Sequence, residues 1–281
     1  MINFNGDIVA SHTQLSIFNR GFLYGDALFE TVKVINGNPI FWEDHYFRLM
    51  ASMRILRMEI PMNFTMEFLQ DEMARLIDAE KLEGTAQRIR FTVFRDAAGL
   101  YTPSSNNIGY VITSNTLDSE LYHNKEGDYE VELFKDHYVN QGMLSSLKTT
   151  NKMVNILGSI YAKENGYANC ILINNEKKVV ETLNGNLFLV KGNVVKTPPT
   201  PDGCLKGIIR KQLLLILEKS EEYSLEESSI SPFELQKADE LFVTNVIQGI
   251  QSITKYRKKT FDRKVASDLL VKLNARVRLG I

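Results

Sequence analysis

The sequence predicts an α+β protein of two domains. Strand patterns that follow one another are joined by short turn signals, and helix patterns fall between groups of strands instead of after every strand. The chain has 281 residues, whereas one domain has roughly 150 residues. Residues 114–128 are rich in Asn, Ser, Asp, Glu and Gly and form the predicted linker. We therefore expect a small N-terminal domain (residues 1–113) and a larger C-terminal domain (residues 129–281).

Two helices and two strands are predicted before the linker. Apolar residues recur every three or four positions over residues 41–56, which gives a helix one apolar face. Residues 63–82 have a second helical pattern, with Asn63 as the expected N-cap. Residues 88–95 alternate between apolar and polar side chains, which is typical of a strand with two differently solvated faces. Residues 108–113 are predicted to form another strand.

More strands than helices are predicted after the linker. Asn174-Asn175-Glu176 and Lys191-Gly192-Asn193 each separate two strand patterns and indicate β-hairpins. The predicted helices are residues 151–164 and 208–218, and the predicted strands are residues 129–134, 170–173, 178–181, 186–190, 194–196, 241–244 and 250–253.

The composition argues against several classes of protein. The chain is 44% apolar and 24% charged, and its formal net charge of -1 gives no electrostatic basis for binding nucleic acid or an anionic membrane. The longest apolar runs, such as residues 213–217, are too short to span a bilayer. The N-terminus has no signal-peptide pattern, and the two cysteines suggest neither a disulfide framework nor a metal site. We expect a cytoplasmic enzyme without a metal, a nucleic-acid partner or a membrane partner.

Lys148 is the residue that most suggests covalent chemistry. It follows Leu147 and precedes the polar run Thr149-Thr150-Asn151. A lone lysine is usually a solvated surface residue, but burial disfavours the charged form and makes the amine nucleophilic near neutral pH. We expect Lys148 to lie at the end of a strand, where it would open into a cleft.

Two later segments add to this amine. Glu181 ends an apolar strand, where it is either a solvated acid or a carboxylate that pairs with a pyridine nitrogen. Gly207 opens a predicted helix, and the free N–H groups and positive dipole of a helix start favour a phosphate. An amine for the aldehyde, an acid for the ring nitrogen and a helix start for the phosphate are the three contacts that hold pyridoxal 5'-phosphate.

Several basic side chains are candidates for binding anions. His45 and Arg48 are three residues apart on the first predicted helix and therefore lie on one face. Arg48 is either exposed or turned inward to pair with a phosphate. Arg90 and Arg95 fall on or just after a strand, where they are either solvated or bind a substrate carboxylate.

Together these segments resemble the class IV, or fold type IV, pyridoxal-phosphate aminotransferase family. This family includes branched-chain and D-amino-acid aminotransferases and aminodeoxychorismate lyase. The resemblance implies a two-domain fold like that of D-amino-acid aminotransferase, with the cofactor between the domains. It also implies a homodimer whose partner subunit contributes to the pocket. The matching segments occur in the family's order along nearly the whole chain and are residues 19–31, 45–49, 146–151, 179–188, 207–210 and 240–253.

The resemblance implies a role for each matching residue. Lys148 would form the internal aldimine with the cofactor, and Glu181 would contact the ring nitrogen. Tyr24 and Phe29 would line the substrate pocket. The phosphate would be held by Arg48 and, at the helix that Gly207 opens and in a later turn, by the backbone N–H groups of Ile208, Ile209, Asn245 and Val246.

The sequence departs from the family pattern at three places. Lys152 stands where branched-chain aminotransferases have a tyrosine, and a basic residue there is more similar to aminodeoxychorismate lyase. Val246 stands where the family often has a hydroxyl residue that binds the phosphate. The segment after Arg95 lacks the arginine-to-histidine pattern with which D-amino-acid enzymes bind a carboxylate.

The resulting expectation is an aminotransferase that moves an amino group between a small amino acid and a keto acid. A lyase that forms 4-aminobenzoate and pyruvate from aminodeoxychorismate is the alternative, because Lys148 would act as the base in both reactions. A non-catalytic binding protein on the same scaffold is an alternative of another class. The presence of both Lys148 and Glu181 argues against it.

Overall fold

The computed structural model describes residues 1–12, 15–82 and 84–280. The division between the two compact units falls between Glu120 and Leu121, within the predicted linker. Residues 148–151 group with the first unit, although the sequence analysis assigned them to the C-terminal domain. The first unit comprises residues 1–120, 148–151 and 280, and the second comprises residues 121–147 and 152–279.

The first unit is built on a six-stranded sheet with the strand order β2-β1-β6-β5-β3-β4. Two helices of 14 residues, α2 and α3, accompany this sheet. The elements are β1 (Ile2–Phe4), β2 (Asp7–Val9), α1 (Arg20–Tyr24), β3 (Ala27–Ile35), β4 (Asn38–Pro39), α2 (Trp42–Ile55), α3 (Met66–Ala79), β5 (Gln87–Arg95) and β6 (Ile108–Thr116).

The helices and strands predicted before the linker are confirmed, with changes at their ends. Helix α3 begins after Thr65, not at Asn63, because the Thr65 side chain accepts a hydrogen bond from the backbone N–H of Phe68. Strand β6 continues to Thr116 because it pairs with β5 along its whole length. Its last residues therefore belong to the sheet, although they were assigned to the linker. Strand β3 and the short helix α1 were not predicted.

The second unit contains two five-stranded sheets, with the strand orders β12-β11-β10-β13-β14 and β16-β15-β7-β8-β9. A 3-10 helix at Met143–Ser146 and another at Thr200–Asp202 lie in its loops. The elements are β7 (Glu130–Val139), α4 (Met153–Glu164), β8 (Asn169–Asn174), β9 (Val179–Thr182), β10 (Asn186–Lys191), β11 (Val194–Thr197), α5 (Ile208–Glu218), β12 (Ser224–Glu227), α6 (Pro232–Leu235), β13 (Glu240–Asn245), β14 (Gly249–Ile253), β15 (Lys255–Tyr256), β16 (Lys259–Thr260) and α7 (Lys264–Leu279).

A shared apolar core joins the two sheets of the second unit. Leu187 and Val243 from one sheet pack in the same cluster as Val131 and Ile171 from the other. The opposite face of the first of these sheets carries Phe188 and Phe242 from β10 and β13, and helices α5 and α7 pack near these strands. Both predicted hairpins, β8–β9 and β10–β11, are confirmed. Helix α7 was not predicted, although its buried apolar residues recur at helical spacing.

Three features are absent from the part of the chain that the structure describes: a disulfide, a metal cluster and a membrane-spanning helix. Cys170 and Cys204 are both buried and form no disulfide. In the part of the chain that the structure describes, no cluster of three or more His, Cys, Asp or Glu side chains could hold a metal ion. Within the same residues, no helix combines the length and the apolar character needed to cross a bilayer.

Candidate active site

Lys148 lies on a short segment that pairs with the beginning of β3. The N–H of Phe29 donates a hydrogen bond to the Lys148 carbonyl at 2.8 Å, and the N–H of Thr150 donates to the Ala27 carbonyl at 3.0 Å. Lys148 was expected to lie at the end of a strand, but it follows the 3-10 helix at Met143–Ser146. This backbone pairing explains why the segment belongs to the first unit, and it fixes the position of the lysine relative to the sheet.

Two cationic side chains lie against the ring of Phe29. The Lys148 amine is 4.5 Å from the ring centroid, and the Arg90 guanidinium carbon is 3.8 Å from it. Phe29 is 9% exposed, whereas the two basic side chains are half-buried. Burial, together with the charge of neighbouring Arg88, lowers the pKa of Arg90. A ring contacted by two cations favours the approach of a small anion, such as a carboxylate.

A buried ion cluster connects the next residue of β3 to helix α2. The Glu30 carboxylate accepts hydrogen bonds from Arg48 Nε at 2.8 Å and from Arg48 Nη2 at 2.5 Å, and its second oxygen lies 2.7 Å from His45 Nδ1. The two bonds from one guanidinium fix its orientation as well as its charge. The sequence analysis placed His45 and Arg48 on one helix face but did not identify Glu30 as their partner.

The ionisation of this cluster follows from its contacts. Burial disfavours the ionised form of Glu30, but the charge of Arg48 and the hydrogen bonds from His45 and Arg48 outweigh it and hold the pKa of Glu30 at about 2. Burial lowers the pKa of His45 despite its contact with Glu30, and the nearby charges of Arg48 and Lys148 act in the same direction. Arg48 is therefore oriented by a carboxylate that stays ionised, beside an imidazole that resists protonation.

Arg95 has a structural position. Its guanidinium donates to Asp26 at 2.9 Å, to Asn106 Oδ1 at 2.6 Å and to the carbonyl oxygens of Leu56 and Arg57 at 2.6 and 3.3 Å. The side chain is buried, and these contacts tie β5 to the end of α2 and to the loop before β6. The structure therefore does not support the predicted contact of Arg95 with a substrate, because its donors hold parts of the fold together.

Tyr24 is the last residue of α1 and is half-buried. Its ring centroid is 5.9 Å from that of Tyr101, and the Arg20 guanidinium carbon lies 5.0 Å from it. These contacts hold the ring in place between an aromatic and a cationic neighbour. Its position in a substrate pocket stays a prediction.

Glu181 lies on β9 in the second unit, where it pairs with Leu172 of β8. Its Oε2 accepts a hydrogen bond from the N–H of Leu205 at 3.0 Å and one from Asn186 Nδ2 at 3.4 Å. Hydrogen bonds of this kind favour the ionised form of a carboxylate. An oriented acid of this kind suits a protonated ring nitrogen.

Gly207 opens α5 beside the same asparagine. A Cβ at residue 207 would lie 2.0 Å from Asn186 Oδ1, so any larger residue at this position would displace the Asn186 side chain. Among the residues that the structure describes, no side chain caps α5 at this end, which leaves the first-turn N–H groups of buried Ile208 and Ile209 without a side-chain acceptor there. The structure thus offers the uncapped helix start that the sequence analysis predicted for a phosphate.

The turn after β13 is held from two sides. Asn245 Oδ1 accepts hydrogen bonds from the N–H groups of Ile247 and Gln248 at 3.0 and 2.9 Å. The carbonyl of Val246 accepts a hydrogen bond from the Tyr122 hydroxyl at 2.8 Å. The side chain of Asn245 therefore orders this turn, and Tyr122 fixes its outer carbonyl.

Tyr122 belongs to the predicted linker but is firmly held in the second unit. Its backbone exchanges two hydrogen bonds with the Asn274 side chain, at 3.0 and 2.9 Å. Its ring covers Gly249, where a Cβ would lie 2.4 Å from the ring and where φ is +70°. Glycine is required at this position both by the conformation and by the contact.

Lys152 is the N-cap residue of α4, is half-buried and belongs to the second unit. Its predicted influence on the amine of Lys148 stays a prediction. Lys148, Glu181 and Gly207 fit pyridoxal 5'-phosphate by their chemistry. Lys148 offers a half-buried amine, Glu181 a carboxylate held by N–H donors, and Gly207 a helix start that a Cβ would crowd.

Three residues of these sites were missed by the sequence analysis. Glu30 is the one acid in the run Ala27–Val34, in which every residue except Glu30, Thr31 and Lys33 is apolar. A single acid in a buried strand is a signal for a buried basic partner. Asn186 gave no signal, because asparagine is common near turns. Tyr122 could not be recognised because its contacts are more than a hundred residues away in sequence.

Comparison with known proteins agrees with these observations. The family model described as amino-transferase class IV matches residues 27–256. A protein of Methanocaldococcus jannaschii, provisionally named a branched-chain-amino-acid aminotransferase, is 26% identical over 99% of this chain and 95% of its own length. The aminodeoxychorismate lyase of Vibrio harveyi is 24% identical over 86% of this chain and 87% of its own length.

The fold also matches solved structures. The crystal structure of the branched-chain aminotransferase of Thermoproteus uzoniensis with norvaline superposes with a TM-score of 0.87 at 23% identity. The match covers 99% of this chain and 94% of the other. At this identity the similarity concerns the fold, and it confirms the α+β architecture expected of a fold type IV enzyme.

Proposed function

The chain belongs to the class IV aminotransferase family, and from this premise we propose that it transfers an amino group between a small amino acid and a keto acid. The family identifies it as an enzyme that uses pyridoxal 5'-phosphate. When bound, this cofactor supplies an aldehyde that reacts with amines and a ring that accepts electrons. The observation that carries the substrate class is the position of Lys148 and Arg90 against one aromatic ring.

Lys148 has two roles in this proposal. Its Nζ would hold the cofactor covalently when the cofactor is bound. The same amine would act as the base that removes the proton from the α-carbon of the substrate and would later return a proton. The Phe29 ring beside Nζ keeps water from one side of the amine, and the backbone pairing with β3 limits its movement.

Arg90 would bind the carboxylate of the substrate. Its guanidinium and the Lys148 amine contact the same ring, so a carboxylate held by Arg90 places the α-carbon of an amino acid near the amine. A guanidinium can hold a carboxylate through two parallel hydrogen bonds. Arg90 thus supports a substrate that carries both an amine and a carboxylate.

The remaining residues would hold the cofactor. Glu181 would keep the ring nitrogen protonated, since the N–H of Leu205 orients its carboxylate. The first turn of α5 would bind the phosphate through its N–H groups. Arg48 would add a positive charge, held in place by the Glu30 carboxylate.

A turnover screen tests the proposed reaction. Purified enzyme would be incubated with each L-amino acid and each D-amino acid in the presence and absence of 2-oxoglutarate, and the keto acid product measured. We expect product only with the acceptor present and none from the Lys148→Ala variant. Product formation that is independent of every keto acid acceptor would contradict an aminotransferase.

Aminodeoxychorismate lyase is a second candidate, supported by one specific observation. Lys152, at the start of α4, is a basic residue where branched-chain aminotransferases have a tyrosine. Elimination from aminodeoxychorismate requires the same base, Lys148, but no acceptor. Incubation of the enzyme with aminodeoxychorismate, without a keto acid, would identify this reaction by the formation of 4-aminobenzoate and pyruvate.

We also propose that the active form is a homodimer. Large apolar side chains are exposed in both units: Ile17, Phe18 and Phe22 in the first are 69%, 75% and 73% exposed, and Met153 and Ile156 in the second are 66% and 51% exposed. Large apolar side chains that are exposed within each unit are candidates for burial against a partner subunit. Light scattering after size-exclusion chromatography should give about twice the chain mass of 32.0 kDa. A monomeric mass at assay concentration would contradict the dimer.

A further inference from the structure

We propose that Thr244, through its buried hydroxyl, is a phosphate ligand of this protein that replaces the hydroxyl missing at Val246. Thr244 lies near the end of β13, two positions before Val246 in the turn that follows this strand. This inference rests on the proposed function, because it concerns the phosphate of the bound cofactor.

The register of the sheet places Thr244 next to the start of α5. Thr244 pairs directly with Asn186 in the antiparallel ladder of β10 and β13, so both side chains lie on the same face. The Oδ1 of Asn186 lies 2.0 Å from the position that a Cβ at residue 207 would take. The Asn186 amide donates a hydrogen bond to the Leu205 carbonyl at 2.8 Å. Thr244 is therefore a neighbour of the residue that contacts the N-terminus of α5.

The other face of the same strands is already occupied. Leu187, Leu189, Leu241 and Val243 belong to the apolar core between the two sheets. Phe188 and Phe242, two residues from Asn186 and Thr244, stack at 5.0 Å on the face that Thr244 shares. The alternation along the strands thus directs Thr244 away from the core between the sheets and toward the side of α5.

The hydroxyl of Thr244 is buried and has no partner in the protein. Thr244 is 2% exposed, and within residues 1–12, 15–82 and 84–280 no atom forms a hydrogen bond with its Oγ1. Leaving a buried hydroxyl without a partner costs free energy, so such a group implies a partner that the protein itself does not supply. The first-turn N–H groups of α5 likewise receive no side-chain cap from the part of the chain that the structure describes.

A phosphate would satisfy both sets of donors. It accepts hydrogen bonds from backbone N–H groups and from a hydroxyl, and the helix dipole favours its charge. The side chains of Ile208, Ile209 and Val246 are aliphatic and offer no donor. Thr244 supplies a side-chain hydroxyl from the strand itself, where the sequence analysis found none in the following turn.

The experiment compares two forms of the cofactor that differ only in the phosphate. Apo enzyme of the wild type, Thr244→Val and Thr244→Ser would be titrated with pyridoxal 5'-phosphate and with pyridoxal, and dissociation constants measured by absorbance. Thr197→Val is the matched control, because Thr197 is also buried in this sheet but donates its hydroxyl to the Leu187 carbonyl at 2.8 Å. Circular dichroism would verify that each variant is folded.

We expect Thr244→Val to weaken binding of pyridoxal 5'-phosphate about tenfold or more, the effect of removing one hydrogen bond to a charged group. Its affinity for pyridoxal should stay within about twofold of the wild type, and Thr244→Ser should retain most of the phosphate effect. Thr197→Val should not change the ratio of the two affinities.

Three results would overturn the inference. Equal losses for both ligands would show that Thr244 acts on the fold and not on the phosphate, and an unchanged affinity would show that its hydroxyl has another partner. If Thr244→Val does not fold, equal affinity ratios in Thr244→Ser, which keeps the hydroxyl, and Thr244→Cys, which has only a weak thiol donor, would also count against it. Failure of the wild-type apo enzyme to bind pyridoxal 5'-phosphate would instead overturn the proposed function together with this inference.

Discussion

The amine of Lys148 lies 4.5 Å from the centroid of the Phe29 ring, while the N–H of Phe29 donates a hydrogen bond to the Lys148 carbonyl at 2.8 Å. The two residues are thus joined by backbone and by side chain, although 119 positions separate them in the sequence. The pairing gives the lysine a defined position on the edge of the first sheet, which a reactive amine requires.

Arg90→Gln should impair substrate binding more than cofactor binding. Loss of the guanidinium removes the group proposed to bind the carboxylate, so we expect KM for amino acids to rise about tenfold or more, the effect of losing a hydrogen bond between charged groups. The absorbance of the bound cofactor should stay unchanged. Arg88→Gln is the control, because it removes the same charge from β5 two register positions farther from Phe29. An equal rise of KM in both variants would argue against a specific contact.

Glu30→Gln should destabilise the first unit and loosen Arg48. Removing one partner from a buried ion pair costs about 3–5 kcal/mol, because the other charge is left buried without compensation. We therefore expect a lower free energy of unfolding in urea and a weaker affinity for pyridoxal 5'-phosphate. Glu43→Gln, at an exposed position of α2, should change neither. A Glu30→Gln variant with wild-type stability would show that the cluster is unimportant for the fold.

Stability should fall as the pH is lowered through the range in which free histidine titrates. Burial lowers the pKa of His45 in the folded state, so below a pH of about 6.5 the unfolded chain takes up a proton that the folded chain resists. The contribution of Glu30, whose pKa is held at about 2, is present above about pH 4.5 and is lost only as the pH falls toward 2.

The measurement is the free energy of unfolding in urea at pH 8, 6.5 and 5. Each unit by which the folded-state pKa of His45 lies below that of the unfolded state is worth about 1.4 kcal/mol. The His45→Gln variant should lose less stability than the wild type between pH 8 and 5. Parallel curves for the two proteins would show that His45 is not the group responsible.

Tyr122→Phe should weaken cofactor binding without a large effect on the fold. The variant keeps the ring over Gly249 but loses the hydrogen bond to the Val246 carbonyl, which orders the turn after β13. One neutral hydrogen bond contributes about 1 kcal/mol, so we expect roughly a fivefold loss of affinity for pyridoxal 5'-phosphate. Tyr256→Phe is a suitable control, since it removes the hydroxyl of another buried tyrosine that lies on β15, in the other sheet of the second unit. Equal losses in both variants would contradict a role for the turn.

Much of the fold could be predicted because local patterns determine it. The apolar periodicity of α2 and α5 and the turn residues of the β8–β9 and β10–β11 hairpins are properties of neighbouring residues. The start of α3 was misplaced because Asn63 and Thr65 are both good N-caps, and only the hydrogen bond to Phe68 decides between them. Helix ends are determined by such single contacts.

The candidate site residues also differ in how much of their role is visible in the local sequence. Lys148, Glu181 and Gly207 could be proposed from the sequence because their side-chain chemistry and their order in the chain are distinctive. The contacts of Arg95 with Asp26 and Asn106 could not be predicted, because in sequence such an arginine looks like one that binds a substrate. The partners of such residues lie far away in the chain, so their roles depend on the tertiary structure.

Reduction with borohydride tests the central claim most directly. Enzyme loaded with pyridoxal 5'-phosphate would be treated with sodium borohydride, digested and mapped by mass spectrometry. We predict a phosphopyridoxyl group on the peptide that contains Lys148 and on no other lysine in stoichiometric amount. Recovery of that peptide unmodified from cofactor-loaded enzyme would contradict the account.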